Sequence, residues 1–213
     1  MKKKQVIIAT MMVGAIGVSF STSAYATQTI DGSTTGEIKA TGELGREDNT
    51  DPGSEIPDGD DKWINVTLPT EVIFYNVDGE ENIKSSANYE ILNNSGRPVK
   101  VDLTSFRIAN AITAEREAIK SLSLTNASGK SFNSVNLVEN GVEKVTTTQE
   151  LVRLANNEGK IGTTNDPSAK LTRFKFDGSV NKDKLSEDQA TTIDSTLNLK
   201  FTALNMMGQE AAE

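Results

Sequence analysis

Apolar side chains recur at every second position in short runs over residues 62–204, and turn residues separate the runs. That period is the mark of half-buried β-strands. The first run is Trp63-Ile64-Asn65-Val66-Thr67-Leu68, which Pro69 stops. Residues 71–77 follow as a β-branched and aromatic stretch, and Asp78-Gly79 then signals a turn. Ala87, Tyr89 and Ile91 alternate before the Asn93-Asn94-Ser95-Gly96 turn. Val99, Val101 and Leu103 share one face of the next run, and Phe106 and Ile108 extend it. Leu122 and Leu124 keep strand spacing, and Phe132, Val135, Leu137 and Val138 follow ahead of the Glu139-Asn140-Gly141 turn. Thr172, Phe174 and Phe176 alternate with Leu171, Arg173 and Lys175. Leu197, Leu199, Phe201 and Ala203 form the most regular run of all.

Four stretches break the period. Ile112, Ala114, Ala118 and Ile119, interleaved with Glu115, Arg116 and Glu117, predict a short helix within 110–120, with Thr113 as an internal N-cap. Leu151, Val152 and Leu154 suit a helical turn over 149–155. Ser186-Glu187-Asp188-Gln189 carries a helical-turn signature, and residues 156–170 read as loop. Eight or nine short strands with regular turns and no βαβ rhythm predict an all-β fold. The expected form is an antiparallel β-sandwich, jelly-roll-like, with one or two short helices.

The N-terminal part is different. Lys2, Lys3 and Lys4 precede an apolar run over 6–20, then Ser21-Thr22-Ser23 and Ala24-Tyr25-Ala26. This is the layout of a secretory signal peptide, so residues 1–26 are expected to be cleaved before Thr27. The apolar run is about 15 residues, short of the about 20 that a membrane-spanning helix needs. Residues 27–61 read as an extended strand plus an acidic Pro/Gly linker, and residues 62–213 as the sandwich domain. Within 36–44, Ile38, Ala40 and Leu44 can face one side of a strand. Residues 45–61 hold Pro52, Pro57, several Asp and, as a large aliphatic, only Ile56. Such a stretch is expected to stay a flexible tether with a reach of about 20–25 Å.

Composition narrows the chemistry. Among 213 residues there is no His and no Cys. Ser-His-Asp and Cys-His nucleophiles, imidazole and thiolate metal sites, and disulfides are all excluded. The 22 Lys and Arg stand against 30 Asp and Glu, a net charge of −8. Loss of the three leader lysines leaves 19 basic residues against the same 30 acids, or −11. That charge repels nucleic acid and anionic lipid. The acids at 48, 51, 58, 60 and 61 lack the spacing of a calcium loop, so weak calcium binding is the most they imply, and no other cofactor is expected. No pair of carboxylates stands out as hydrolase machinery. The expectation is that the chain is not an enzyme. Trp63 is a candidate contact residue, since Trp anchors many interfaces, although it equally suits the edge of a core.

Three blocks carry a resemblance: WINVTLPTEVIFYNV over 63–77, YEILNNSGRPVKVDLTSF over 89–106, and LNLKFTA over 197–203. Together they resemble secreted surface proteins of Gram-positive bacteria. The nearer group is the extracellular proteins associated with WxL surface complexes. The more distant one is the TasA/camelysin-type proteins, which form matrix fibres. Trp63 is followed by Ile64 and Asn65, so the W-x-L triplet itself is missing. The resemblance implies a secreted, cell-surface or extracellular-matrix structural protein whose partners are other surface proteins or copies of itself. The order strand, tether, domain adds a mechanism, in which Ile38, Ala40 and Leu44 enter a neighbour's groove as an added strand. A soluble adhesion or carbohydrate-binding module is the alternative, and an extracellular hydrolase a distant third. No membrane span remains after signal cleavage.

Overall fold

The computed structural model describes residues 47–109, 113–127, 131–185 and 192–211. In chain order the strands are β1 (Val66–Thr67), β2 (Phe74–Asn76), β3 (Asn82–Ser85), β4 (Tyr89–Asn93), β5 (Val99–Ala109), β6 (Ile119–Asn126), β7 (Val135–Glu139), β8 (Val142–Glu143), β9 (Gln149–Leu154), β10 (Lys160–Ile161), β11 (Thr164–Asn165), β12 (Leu171–Val180) and β13 (Asp194–Ala203). Among the described residues a short helix, α1 (Thr113–Glu117), lies between β5 and β6 in the chain. Among the described residues, 3₁₀ turns occupy Asp61–Trp63, Pro167–Lys170 and Lys182–Lys184. The chain is all-β.

The larger sheet runs β1-β4-β12-β6-β7-β8, with β3 also on β12 and β2 outside β3. β12 is its centre. One edge takes β6 from Phe174 to Val180; the other takes β4 at Leu171–Phe174 and β3 at Gly178 and Ser179. Gly178 is required where these chains crowd, because a Cβ there would lie 2.1 Å from the carbonyl oxygen of Ser121. The smaller sheet is β13-β5-β9, and β10 pairs with β11 as a separate hairpin. Every pairing is antiparallel. One apolar cluster takes side chains from both sheets: Ile91, Leu122, Leu124, Phe174 and Phe176 from the larger, Val99, Val101, Leu103, Phe106 and Leu151 from the smaller.

β-Bulges explain where the sequence pattern changes phase. On β5, Ser105 stands opposite Asn198 and Leu103 opposite Leu199, so Thr104 is the extra residue. The inward face therefore moves from odd to even positions, from Val99, Val101 and Leu103 to Phe106 and Ile108, all buried. The Thr104 hydroxyl donates to the Asn198 carbonyl at 3.0 Å. On β9, Val152 pairs with Val101 and Glu150 with Asp102, leaving Leu151 extra. Leu151, Val152 and Leu154 are consequently all buried. That spacing imitates a helical face, and the helical turn expected at 149–155 is a strand instead.

Other expectations shift in extent. Of the helix expected within 110–120, the described residues show Thr113–Glu117. The strand expected from Trp63 is confined to Val66–Thr67, because Trp63 closes a 3₁₀ turn that the Asp60 side chain caps. The loop at 156–170 contains the β10–β11 hairpin and a turn capped by Asp166. β3 was not expected, since Ile83 is its one buried residue. Residues 186–189 lie outside the described residues.

Residues 47–61, read as tether, lie against the body. Ile56 is buried and Trp63 is 0% exposed. The indole N–H of Trp63 donates to the carbonyls of Ile56 and Pro57, at 3.2 and 3.0 Å. The Arg97 guanidinium lies 4.4 Å from the centre of the Trp63 ring, and its Nε and Nη1 donate to Asp58 and to the Pro52 carbonyl, each at 2.7 Å. Amides complete the attachment. Asn49 Nδ2 donates to the Lys62 carbonyl at 3.0 Å, Gly96 N to the Asn49 carbonyl at 2.7 Å, and Asn157 Nδ2 to the Thr50 carbonyl at 2.6 Å. Polar pairing supplies here what apolar burial does not, and the composition argument for a tether counted only burial.

Among the described residues two buried hydroxyls lack a partner, those of Thr172 and Thr202, and Thr172 is the more deeply buried. Thr172, 1% exposed on β12, has no partner for its Oγ1 among the described residues. A valine has the same branching without a polar group to desolvate. Thr172→Val is therefore expected to stabilise the protein by about 1 kcal/mol. Chemical denaturation would show a higher midpoint at unchanged slope; a lower midpoint would place a partner on this hydroxyl.

Candidate interaction groove

Among the described residues, two strand edges that border one trough have no second partner: β13 pairs only with β5, and β2 only with β3. Among the described residues, β13 makes no backbone hydrogen bond outside its pairing with β5. Between these edges runs a trough of ≈ 800 Å³, with residues 68–76 as one wall and residues 192–199 with Phe201 as the other. Ile83, Ile119, Phe174 and Val180 contribute to its lining.

Each wall follows from its sequence. Residues 72–75 are Val-Ile-Phe-Tyr, apolar on both faces of an extended chain. Phe74 turns inward to Phe176, ring centres 5.3 Å apart. Ile73 and Tyr75 must then point outward, and they are 57% and 54% exposed. The Tyr89 hydroxyl fixes this wall: it accepts from Ile73 N at 2.7 Å and donates to the Ile73 carbonyl at 3.2 Å. On the facing wall Leu197, Leu199 and Phe201 are half-buried and pack on the core from its margin. Thr196, Asn198 and Lys200, on the opposite face of β13, are exposed. Such a trough offers backbone donors and acceptors along its rims and apolar surface in its floor. Those are the needs of an added β-strand.

The residues singled out from sequence fall elsewhere. Ile38, Ala40 and Leu44 lie outside the described residues. Trp63 is enclosed by Ile56, Pro57 and Arg97 and has no free surface to offer a partner. It is a core residue that anchors residues 47–61. The trough residues were legible only as strands. One signal could have marked β2, since an apolar run without alternation leaves one apolar face unburied.

The acids around 48–61 act as turn acceptors. Asp48 Oδ1 accepts from Thr50 N at 2.9 Å and Thr50 Oγ1 at 2.7 Å, and these bonds hold its carboxyl below its usual range. Asp51 Oδ1 accepts from Gly53 N, and Asp60 Oδ1 from Lys62 N. Among the described residues no group of three His, Cys, Asp or Glu could hold a metal ion, and no helix is long and apolar enough to cross a membrane.

A second hollow, ≈ 600 Å³, borders Thr104, Ser105, Arg107, Arg116 and Glu143. Its charges are matched internally. Glu143 accepts from Ile108 N at 2.9 Å and pairs with Arg107 at 2.8 Å and Arg116 at 3.4 Å. No known protein family matches the chain, and no curated protein matches it.

Glu143 gives a pH prediction. Burial pushes its carboxyl up, but the Ile108 N–H and the two guanidiniums outweigh burial and hold it below the usual 4.5. A carboxyl depressed by folding contributes stability above its unfolded value and loses that contribution as pH falls through its folded value. Acid unfolding should therefore carry a component from Glu143 below about pH 4.5. In Glu143→Gln the stability difference from the parent should be largest at pH 7 and shrink towards pH 3. A difference that stays constant with pH would show that the carboxylate charge is not what these contacts require.

Proposed function

We propose that this chain is a secreted structural or interaction protein of the cell surface or extracellular matrix, and that it works by β-strand addition. The observation that supports this reading is the trough between β2 and β13, with an open strand edge on each side and half-buried apolar side chains between them. The donor strand is residues 36–44 of a neighbouring molecule. Its Ile38, Ala40 and Leu44 alternate with Lys39, Thr41 and Glu43, which suits one apolar and one solvated face. An incoming strand contributes a row of backbone hydrogen bonds that need no particular side chains, and the alternate apolar residues set its register. Donor and acceptor lie on different parts of the chain, so the contact is head-to-tail and does not close on itself. Partners are copies of this chain or other surface proteins that offer an equivalent strand. The chain performs no catalysis in this role and needs no cofactor.

The test is the mass of the secreted form, from Thr27, by size-exclusion chromatography with light scattering, with and without millimolar calcium. A size distribution that grows with concentration is expected. Deleting residues 27–44 should leave a folded protein that no longer polymerises. Unchanged polymers after the deletion would refute the donor strand. A parent chain that stays monomeric at every concentration would refute assembly and transfer weight to an adhesion module, to be tested on cell walls and glycans.

A further inference from the structure

We propose that the open edge of β13 is a dimer interface, at which β13 of a second copy pairs antiparallel about a two-fold axis through Leu197. The proposal goes beyond head-to-tail polymerisation. It assigns the β13 rim of the trough to an isologous contact and leaves the β2 rim to the donor strand.

The first argument is what β13 lacks. Sheet edges are normally blunted by short length, proline, a bulge or a covering segment. β1 and β8 are two residues each, and β2 is three. β9 is partly covered, since Asn133 N donates to the Leu151 carbonyl at 2.7 Å. β13 is ten residues long, has no proline, and is itself regular, because the extra residue of its pairing with β5 is Thr104 on the partner strand.

The second argument is self-complementarity. In an antiparallel pair centred on Leu197, each residue meets the one equally far on the other side of 197. Asp194 then lies opposite Lys200 of the second copy, and Lys200 opposite its Asp194. Both are exposed, and neither forms an ion pair among the described residues. On the trough face Leu197 meets its own copy, Ser195 meets Leu199, and Ile193 meets Phe201. On the outer face Thr196 meets Asn198. Moving the register by one residue would set apolar against polar faces. Moving it by two in either direction would remove both charge pairs. One register therefore satisfies charge and face together, and it joins the two smaller sheets into one continuous sheet across the axis.

Cross-strand opposite charges stabilise a pair, and like charges directly opposite destabilise it. Lys200→Asp places Asp against Asp twice, and Asp194→Lys places Lys against Lys twice. Each should weaken the dimer about tenfold or more, and Asp194→Lys/Lys200→Asp should restore it. Sedimentation of the secreted form with residues 27–44 deleted isolates this contact from the head-to-tail one, and the expected species is a dimer. The chain has no cysteine, so single cysteines give a second readout. Leu197→Cys should form a disulfide-linked dimer on oxidation, while Ser195→Cys and Leu199→Cys should not, because each lies four residues from its own copy.

Loss in both single variants, rescue in the double and cross-linking confined to 197 would support the interface. A monomeric deletion protein, a dimer indifferent to charge reversal, or equal cross-linking at 195, 197 and 199 would overturn it. If polymers of the undeleted chain vanish only on removal of residues 27–44 and never respond to β13 variants, the dimer fails and the donor-strand function stands. If the dimer persists but no polymer forms at any concentration, the function reading fails and the dimer stands.

Discussion

A strand at the rim of a sheet leaves every second N–H and C=O without a partner in that sheet, and the function proposed for this protein rests on where those rims lie. The larger sheet uses its longest strand, β12, on both edges, so the unsatisfied groups are displaced to short outer strands. The smaller sheet has only three strands and cannot do the same. β5 sits at its centre, β9 is partly covered, and among the described residues nothing pairs with the outer side of β13. Because β13 also borders the shared core, its inward residues Leu197, Leu199 and Phe201 are only half-buried. Unmet backbone groups and unburied apolar area thus coincide in one trough.

The alternation of side chains made the all-β class readable, and the longest strands, β5, β12 and β13, stand close to where the period placed them. What stayed hidden has physical causes in particular residues. Leu151 and Thr104 are bulged, and a bulge shifts the buried face by one position without any compositional mark. Ile83 is the single buried residue of β3, too little to register as a period. The ordered attachment of residues 47–61 was hidden because it rests on directed polar contacts. Asn49, Asn157, Arg97 and the aspartates closing their own turns depend on geometry that no count of apolar residues reports.

The site was less legible than the fold for a related reason. An edge strand and a central strand of equal length share the same alternation, and only the pairing order tells them apart. Trp63 illustrates the converse. Tryptophan is both a frequent interface anchor and a large core residue, and the choice depended on Ile56, Pro57 and Arg97, which close around it. Removing Trp63 from the surface moves the functional reading to residues with no distinctive chemistry, whose significance lies in what does not cover them.

Charge sets the conditions under which such edges can meet. Each copy carries a net −8, or −11 once residues 1–26 are removed, so approach of two copies is opposed at long range. At physiological ionic strength the screening length is about 8 Å, and repulsion between charges spread over two surfaces falls away well before contact. The backbone hydrogen bonds of an added strand are short and are not weakened by salt to the same degree. Lys200 stands in β13 at the distance from Asp194 that the proposed self-pairing requires. A lysine there lowers the local negative charge at the rim, which would orient the proposed encounter against the net charge. The acidity of the chain and the proposed strand addition are therefore compatible: net charge opposes indiscriminate association, and pairing at a strand edge depends on register.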